Sequence, residues 1–226
     1  LATMSHELRT PLNGILGLSS ILEETELDED QKELVGSINS SGHTLFRLIT
    51  DILDITKIET GAVELVFEPF SLTELVAQMV VLFSPRSSAN GGELTYSVDP
   101  ERKVMLMGDL VRLKQVLANL IGNAVKFCAG SLVHVDARFE TRENLETFLV
   151  VSVQDHGPGI AEQYHETIFD AFTQVDSTDV RGYDGAGLGL NMVRKLVTLM
   201  GGIVGLESEL GVGSKFWFEI PTQEVV

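Results

Sequence analysis

Apolar residues in the first sixty positions recur at helical spacing throughout, and this pattern restricts the fold more than any other feature of the chain. On the second predicted helix, steps of four and three residues connect Leu34, Ile38, Ser41, Leu45, Leu48, Ile52 and Ile55. A similar stripe on the first helix contains Leu8, Leu12, Ile15 and Leu22. Such steps form a heptad seam that packs against other helices. Because two helices cannot bury two seams by themselves, we predict an all-α helical hairpin over residues 1–62 that forms a homodimeric four-helix bundle.

The boundaries of the second helix are also readable. Asp28 and Gln31 have the spacing of a capping box at its start, and Gly61 is suited to end it.

After residue 62 the pattern changes to mixed helix and strand, which predicts a second domain over residues 63–226. Val63, Leu65 and Phe67 alternate as in a strand, and Ser71-Leu-Thr-Glu74 is a capping box for the next helix. Further strands are predicted near residues 94–98, 133–139, 148–153 and 216–220, and helices near 109–127 and 188–200. The absence of βαβαβ alternation favours an α+β sandwich, a mixed sheet covered by helices on one face.

Composition excludes several classes of protein. The 226 residues carry 16 Lys and Arg against 33 Asp and Glu, a net charge of -17, which has the wrong sign for nucleic-acid binding. No apolar run approaches the roughly 18 residues of a membrane span, and the N-terminus does not resemble a signal peptide. The single cysteine, Cys128, excludes an internal disulfide and fits the cytoplasm. Since the chain begins within a motif, we expect any membrane, sensor or receiver segment to lie outside it.

His6, Glu7 and Thr10 form the first candidate site. His6 and Thr10 are four residues apart, so both project from one face of a helix, with Glu7 beside them. A neutral imidazole can attack phosphorus, and a neighbouring carboxylate can accept its proton.

The predicted helix near residues 109–127 has an apolar stripe and a polar stripe. The polar stripe contains Gln115, Asn119, Asn123 and Lys126. Amide oxygens suit a hard cation such as magnesium, and Lys126 can neutralise a phosphate. A solvated surface is the alternative interpretation of this stripe.

Two glycine-containing segments complete the candidate sites. Asp155-His-Gly-Pro-Gly159 follows an apolar strand, which places a carboxylate at the end of the strand. The glycines allow a ligand to approach the backbone, and an adenine amino group can donate to Asp155. The alternative interpretation is an ordinary turn, which the same residues also form. Gly185-Ala-Gly-Leu-Gly-Leu190 precedes an amphipathic run, so it places flexible backbone at a helix N-terminus suited to phosphate. Residues 173–184, which include Arg181, are predicted to form a mobile lid.

The order of these elements resembles the catalytic core of the sensor histidine kinases of two-component signalling, particularly the hybrid type. His6-Glu-Leu-Arg-Thr-Pro-Leu12 resembles the phosphoacceptor box and Asn119-Leu-Ile-Gly-Asn123-Ala-Val-Lys126-Phe127 the N box. Asp155 to Gly159 resembles the first glycine box, Phe169-Asp-Ala-Phe172 the F box, and Asp184 to Leu190 the second glycine box. The resemblance covers essentially the whole chain and implies an ATPase domain of the histidine kinase and gyrase type after the hairpin.

The resemblance also implies roles. His6 is phosphorylated by ATP, Glu7 is its base, and Thr10 positions water for phosphatase activity. Asn123 coordinates Mg²⁺, Asn119 and Lys126 approach the phosphates, Phe127 packs on adenine and Asp155 binds its amino group. Gly185, Gly187 and Gly189 surround the phosphates, and Gly157, Gly159, Phe172, Arg181 and Leu188 complete the nucleotide-binding set. The phosphoryl group then passes from His6 to an aspartate of a response-regulator receiver domain.

Three positions depart from the family pattern. Ala171 replaces a common proline, Asp184 a glycine, and Ala186 a threonine or serine. Since Asp184 adds negative charge near a triphosphate, a nucleotide-binding scaffold with weak or no kinase activity, which regulates a partner kinase, stays open as the alternative. An ATP-hydrolysing machine of the gyrase or mismatch-repair type is disfavoured because it needs neither the His6 box nor the hairpin.

Overall fold

The computed structural model describes residues 2–98, 105–128, 130–142, 146–174 and 186–225, with side chains from residue 10 onward. The chain divides into two compact units, Leu1–Ala62 and Val63–Val226. None of the described helices is both long and apolar enough to cross a membrane.

The first unit is a pair of helices, α1 (Ala2–Glu23) and α2 (Glu29–Glu59). The predicted capping box is confirmed, since the Asp28 carboxylate accepts from the backbone N–H of Gln31 at 2.8 Å and the Gln31 side chain accepts from the backbone N–H of Asp28 at 3.2 Å. After α2, Gly61 adopts a positive φ of 67°, the left-handed conformation that commonly ends a helix.

The two helices of the hairpin meet through small and apolar residues. Leu12, Val35 and Gly42 are buried, and a Cβ on Gly42 would lie 2.6 Å from Leu16 Cδ2. The Ser19 hydroxyl donates to the side-chain oxygen of Asn39 across the pair. Most residues of the predicted heptad seam do not lie at this contact between the two helices. The exposed apolar residues on this seam and its counterpart on α1 are Ile15, Leu22, Leu34, Ile38, Leu45 and Ile52.

The second unit contains one mixed seven-stranded sheet. Its elements are β1 (Glu68–Ser71), α3 (Leu72–Ala89), β2 (Glu93–Val98), β3 (Met105–Gly108), α4 (Leu110–Phe127), β4 (Leu132–Thr141), β5 (Thr147–Asp155), α5 (Gly189–Leu199), β6 (Ile203–Glu209) and β7 (Gly213–Val225). The strand order is β1-β3-β7-β5-β4-β2, and β6 also pairs with β7. Only β2 and β4 run parallel among these pairs. Two short 3₁₀ helices, Glu162–Tyr164 and Thr167–Phe169, lie between β5 and α5.

One face of this sheet is buried under the helices, which confirms the predicted sandwich. Alternate residues of the central strands point into the core, and they are Val133, Val135, Ala137, Leu149, Val151, Val153, Phe216, Phe218 and Ile220. The predicted apolar stripe of α4 packs in the same core through Leu113, Leu117, Leu120, Ile121 and Ala124. The helices predicted near residues 109–127 and 188–200 are confirmed as α4 and α5, with ends that differ by no more than two residues.

The sequence prediction was wrong for the start of this unit. Val63, Leu65 and Phe67 do not form a strand, because the ladder with β3 begins only at Glu68. Just before it, the backbone N–H of Val66 donates to the Asp109 carboxylate at 3.1 Å and not to a neighbouring strand. Strands β3 and β6 were not predicted.

Candidate nucleotide-binding site

The polar stripe of helix α4 lies at the edge of the apolar core. Asp109 caps the helix by accepting from the backbone N–H of Arg112 at 3.0 Å. Since the apolar stripe is buried, Asn119, Asn123 and Lys126 lie on a half-buried face. The Asn119 amide nitrogen donates to the carbonyl of Gln115 at 3.0 Å, which leaves its oxygen directed away from that turn.

The N-terminus of α5 lies directly against this face. A Cβ on Gly189 would be only 2.8 Å from Asn119 Oδ1, so the amide of α4 and the first residue of α5 are in contact. Leu188, the residue before α5, is buried and makes no side-chain capping hydrogen bond. The first amide groups of a helix have no partner within the helix itself, which makes this N-terminus suited to an anion. Gly187 precedes them with a positive φ of 69°.

Asp155 lies at the end of β5 beside the other end of α4. The residue is 6% exposed, and its carboxylate accepts from the backbone N–H of Gly157 at 2.8 Å. Burial raises the pKa of Asp155 above the ordinary value, and hydrogen bonds from the backbone of Gly157 and Ser214, together with the nearby His156, oppose the shift. A Cβ on Gly157 would lie 3.0 Å from the carbonyl oxygen of Phe127, so this loop needs a glycine to approach α4.

The ring of Phe127 extends from the C-terminal end of α4 and is 41% exposed. The ammonium group of Lys126 lies 4.7 Å from its centroid, a cation–π distance. An aromatic face and a cation are thus adjacent at the side of the site where the Asp155 carboxylate lies.

The segment after the second 3₁₀ helix connects to the same site. Phe169 is buried and packs edge-to-face on Phe216, whereas Phe172 is 67% exposed with a positive φ of 64°. The backbone N–H of Phe172 donates to the carbonyl of Gly187 at 3.0 Å. The conformation at Phe172 is therefore coupled to the loop that leads into α5.

Asn191 is a site neighbour that sequence reasoning missed. It is 4% exposed, its amide nitrogen donates to the carbonyl of Phe169 at 3.0 Å, and its buried Oδ1 has no hydrogen-bond partner among the described residues. One turn later Arg194 pairs with Asp170 at 2.7 Å. The available signal was an asparagine among the apolar residues of a predicted amphipathic helix.

Some site residues predicted from the sequence are not among the residues described above. Arg181, Asp184 and Gly185 fall outside the described residues. His6 and Glu7 lie on α1, in the part of the helix whose side chains are not described, and Thr10 is exposed one turn later.

Two family profiles match the chain. Residues 108–224 match the histidine kinase-, DNA gyrase B- and HSP90-like ATPase family, and residues 1–61 match the His Kinase A (phospho-acceptor) domain.

Curated relatives are similar over nearly the whole chain. Hybrid signal transduction histidine kinase B of Dictyostelium discoideum is 39% identical over 98% of the chain, which covers 11% of that protein. Sensor histidine kinase GacS of Pseudomonas protegens is 39% identical over 97% of the chain, which covers 24% of that protein. The chain therefore spans only a tenth to a quarter of the length of these relatives.

Solved structures show the same relationship. The crystal structure of full-length ShkA in complex with AMPPNP matches with a TM-score of 0.81 and 39% identity, covering 100% of this chain and 46% of that one. The catalytic domain of histidine kinase ThkA matches with a TM-score of 0.56 and 31% identity, covering 69% of this chain and 97% of that one. With a phospho-acceptor hairpin followed by an ATPase sandwich, the chain belongs to the histidine kinases of two-component systems.

Proposed function

We propose that this chain is an ATP-dependent protein-histidine kinase core that autophosphorylates on His6 and passes the phosphoryl group to an aspartate of a receiver domain. The observation that carries the proposal is that the first and second glycine boxes both contact the N box on α4. Asn119 contacts Gly189 at one end of the stripe, and at the other end the Phe127 carbonyl lies against Gly157.

This arrangement supplies groups for both ends of ATP. The Asp155 carboxylate accepts from the adenine amino group, and the exposed Phe127 ring packs on the base. At the other end, the amide groups of residues 187–189 bind the phosphates. Because the net charge of -17 repels nucleotide at long range, these local donors and Lys126 carry the attraction.

The described residues fit Mg²⁺ as a companion of the nucleotide. They contain no group of three His, Cys, Asp or Glu residues that could hold a metal by itself. Asn123 offers an amide oxygen on the same face as Asn119, and magnesium is commonly held by few protein oxygens together with substrate phosphates. When bound there, the metal neutralises phosphate charge, while the chain orients the nucleotide.

In the transfer step, a ring nitrogen of neutral His6 attacks the γ-phosphorus. The bond from this phosphorus to the bridging oxygen breaks, ADP leaves, and Glu7 accepts the ring proton. Thr10 positions water for hydrolysis of the phosphorylated receiver aspartate, which gives the same core a phosphatase activity.

We assign residues 1–62 to dimerisation and phosphotransfer and residues 63–226 to nucleotide binding and catalysis. The exposed apolar seam supports a homodimer, since Leu34, Ile38, Leu45 and Ile52 are each 46–65% exposed in the single hairpin. We place the chain in the cytoplasm, where ATP and a receiver domain are available.

Incubation with Mg²⁺ and γ-labelled ATP tests the proposal. Wild type is expected to gain acid-labile, alkali-stable label that His6→Gln lacks. His43→Gln is the matched control, because His43 is exposed on α2 and has no assigned role. Nucleotide binding without label in wild type would favour the scaffold alternative, which the substitutions at Asp184 and Ala186 support.

A further inference from the structure

The β6–β7 turn, residues 208–214, packs tightly on the aspartate loop, residues 155–160. The backbone N–H of Gly211 donates to the carbonyl of Pro158 at 2.7 Å. In addition, hydrogen bonding from the backbone of Ser214 is one of the causes that lower the pKa of Asp155 against the effect of burial. The turn therefore contacts both the loop backbone and the carboxylate assigned to adenine.

Two glycines make this close packing possible. Gly159 has a positive φ of 69°, and a Cβ there would overlap the carbonyl of Glu209. Gly213 has a positive φ of 132°, and a Cβ there would overlap the carbonyl of Asp155. Because both contacts are with backbone atoms, neither neighbour can move aside as a flexible side chain can.

The Ser208 hydroxyl connects the two segments. It accepts from the backbone N–H of Ile160 at 2.8 Å, donates to the carbonyl of Gly213 at 2.9 Å, and lies 2.9 Å from the hydroxyl of Ser214. A serine hydroxyl has one proton and two lone pairs. Because the proton of Ser208 is directed to the Gly213 carbonyl, Ser208 accepts from both the Ile160 N–H and the Ser214 hydroxyl, and its hydrogen-bonding capacity is full. Ser208 is thereby held in one orientation.

We propose that the β6–β7 turn positions Asp155 and Gly157 for adenine recognition, and that Ser208 is a positioning residue for nucleotide selectivity. The inference rests on the proposed function, in which Asp155 binds the adenine amino group. Without the Ser208 hydroxyl, the Ile160 amide loses its partner and the loop is no longer held at that point. A recognition group displaced by a fraction of an ångström loses much of its hydrogen bond to the ligand.

Calorimetric titration of the full chain with ADP and with GDP, both with Mg²⁺, tests the selectivity. Ser208→Ala is expected to raise the Kd for ADP about tenfold and to reduce the preference for ADP over GDP by a similar factor. Ser208→Thr keeps the hydroxyl and is expected to restore both. Ser84→Ala, which removes a hydroxyl bonded to the Val80 carbonyl within α3, is the matched control and should bind as wild type does.

Amide hydrogen exchange tests the positioning without nucleotide. The Ile160 amide is expected to exchange at least about tenfold faster in Ser208→Ala than in wild type or Ser208→Thr. Unchanged ADP affinity and selectivity in Ser208→Ala would overturn the inference, and so would equal losses for ADP and GDP. If wild type itself binds no ADP, the proposed function fails, and unchanged exchange at Ile160 would separately refute the role of Ser208.

Discussion

Replacing Gly189 by alanine should separate the stability of the fold from nucleotide binding. The added Cβ would lie 2.8 Å from Asn119 Oδ1, inside ordinary contact, so the Asn119 amide must move. The backbone of Gly189 is helical, and a glycine-to-alanine change at such a site stabilises by about 0.4–1 kcal/mol. Moving Asn119 disrupts its hydrogen bond to Gln115, a loss of about 0.5–1.5 kcal/mol. The two effects nearly cancel in the free energy of unfolding.

Nucleotide binding has no such compensation. A hydrogen bond to a charged group is worth about 1.5–3 kcal/mol, so losing the phosphate contact that the family resemblance assigns to Asn119 should weaken ADP binding by about ten- to a hundredfold. Urea unfolding and calorimetric titration measure the two quantities on the same samples. Gly122→Ala is the matched control, because its Cβ would make an ordinary 3.4 Å contact with the Phe83 ring and should stabilise α4 without changing the Kd. Wild-type affinity in Gly189→Ala would refute the reasoning, as would a loss of stability above about 2 kcal/mol.

Three other substitutions test separate parts of the structure. Because burial raises the pKa of Asp155, ADP affinity of wild type should fall on acidification at a pH above the usual aspartate range, whereas Asp155→Asn should bind weakly with little pH dependence in calorimetric titrations. Because the pKa of Asp155 is raised in the folded state, the protonated carboxyl stabilises the fold at acidic pH, and this stabilisation is lost as the pH rises through the raised pKa. The asparagine does not titrate, so the free energy of unfolding of Asp155→Asn minus that of wild type should increase over the same pH range in urea titrations. Leu45→Glu, on the exposed seam, should convert the proposed dimer to monomer in analytical ultracentrifugation, and an unchanged sedimentation coefficient would contradict the assigned interface. Gly42→Leu should lower the melting temperature of the hairpin by circular dichroism, because the added side chain collides with Leu16, and an unchanged melting curve would argue against this packing.

Helical periodicity was enough to predict the hairpin but not which face packs within it. Val35 and Gly42 are buried in the hairpin, while their neighbours Leu34 and Ile38 are exposed. A stripe of apolar residues indicates a buried surface without specifying whether the partner is the same chain or a second copy. A glycine at the contact, such as Gly42, gives no hydrophobic signal at all.

In the sandwich, long periodic elements were predictable and short ones were not. The alternation in β4 and β7 is clear because one face of each strand is buried, whereas β5 is a continuous run in which residues 149–153 are all buried. Strand β3 has only four residues, and β6 contains Gly205, over which the Trp217 ring lies. Pairing with β7 stabilises both strands, and this tertiary contact has no local sequence pattern.

The candidate site was predictable where its residues had a characteristic type and spacing. The α4 stripe, Asp155 and the glycines before α5 are in this group. Asn191 and Ser208 act through hydrogen bonds to residues 22 and 48 positions away, Phe169 and Ile160. Such contacts depend on the folded topology, so no local pattern around either residue indicates them.

Mass-spectrometric mapping of the phosphorylated chain under alkaline conditions tests the central claim most directly. After incubation with Mg²⁺ and ATP, the phosphoryl group is expected on the peptide that contains His6. Asn123→Ala should lose it to the same extent as His6→Gln, because in the proposed function the nucleotide site on α4 supplies the phosphoryl group that His6 receives. A phosphoryl group on another residue, or full modification of His6 in Asn123→Ala, would contradict the account.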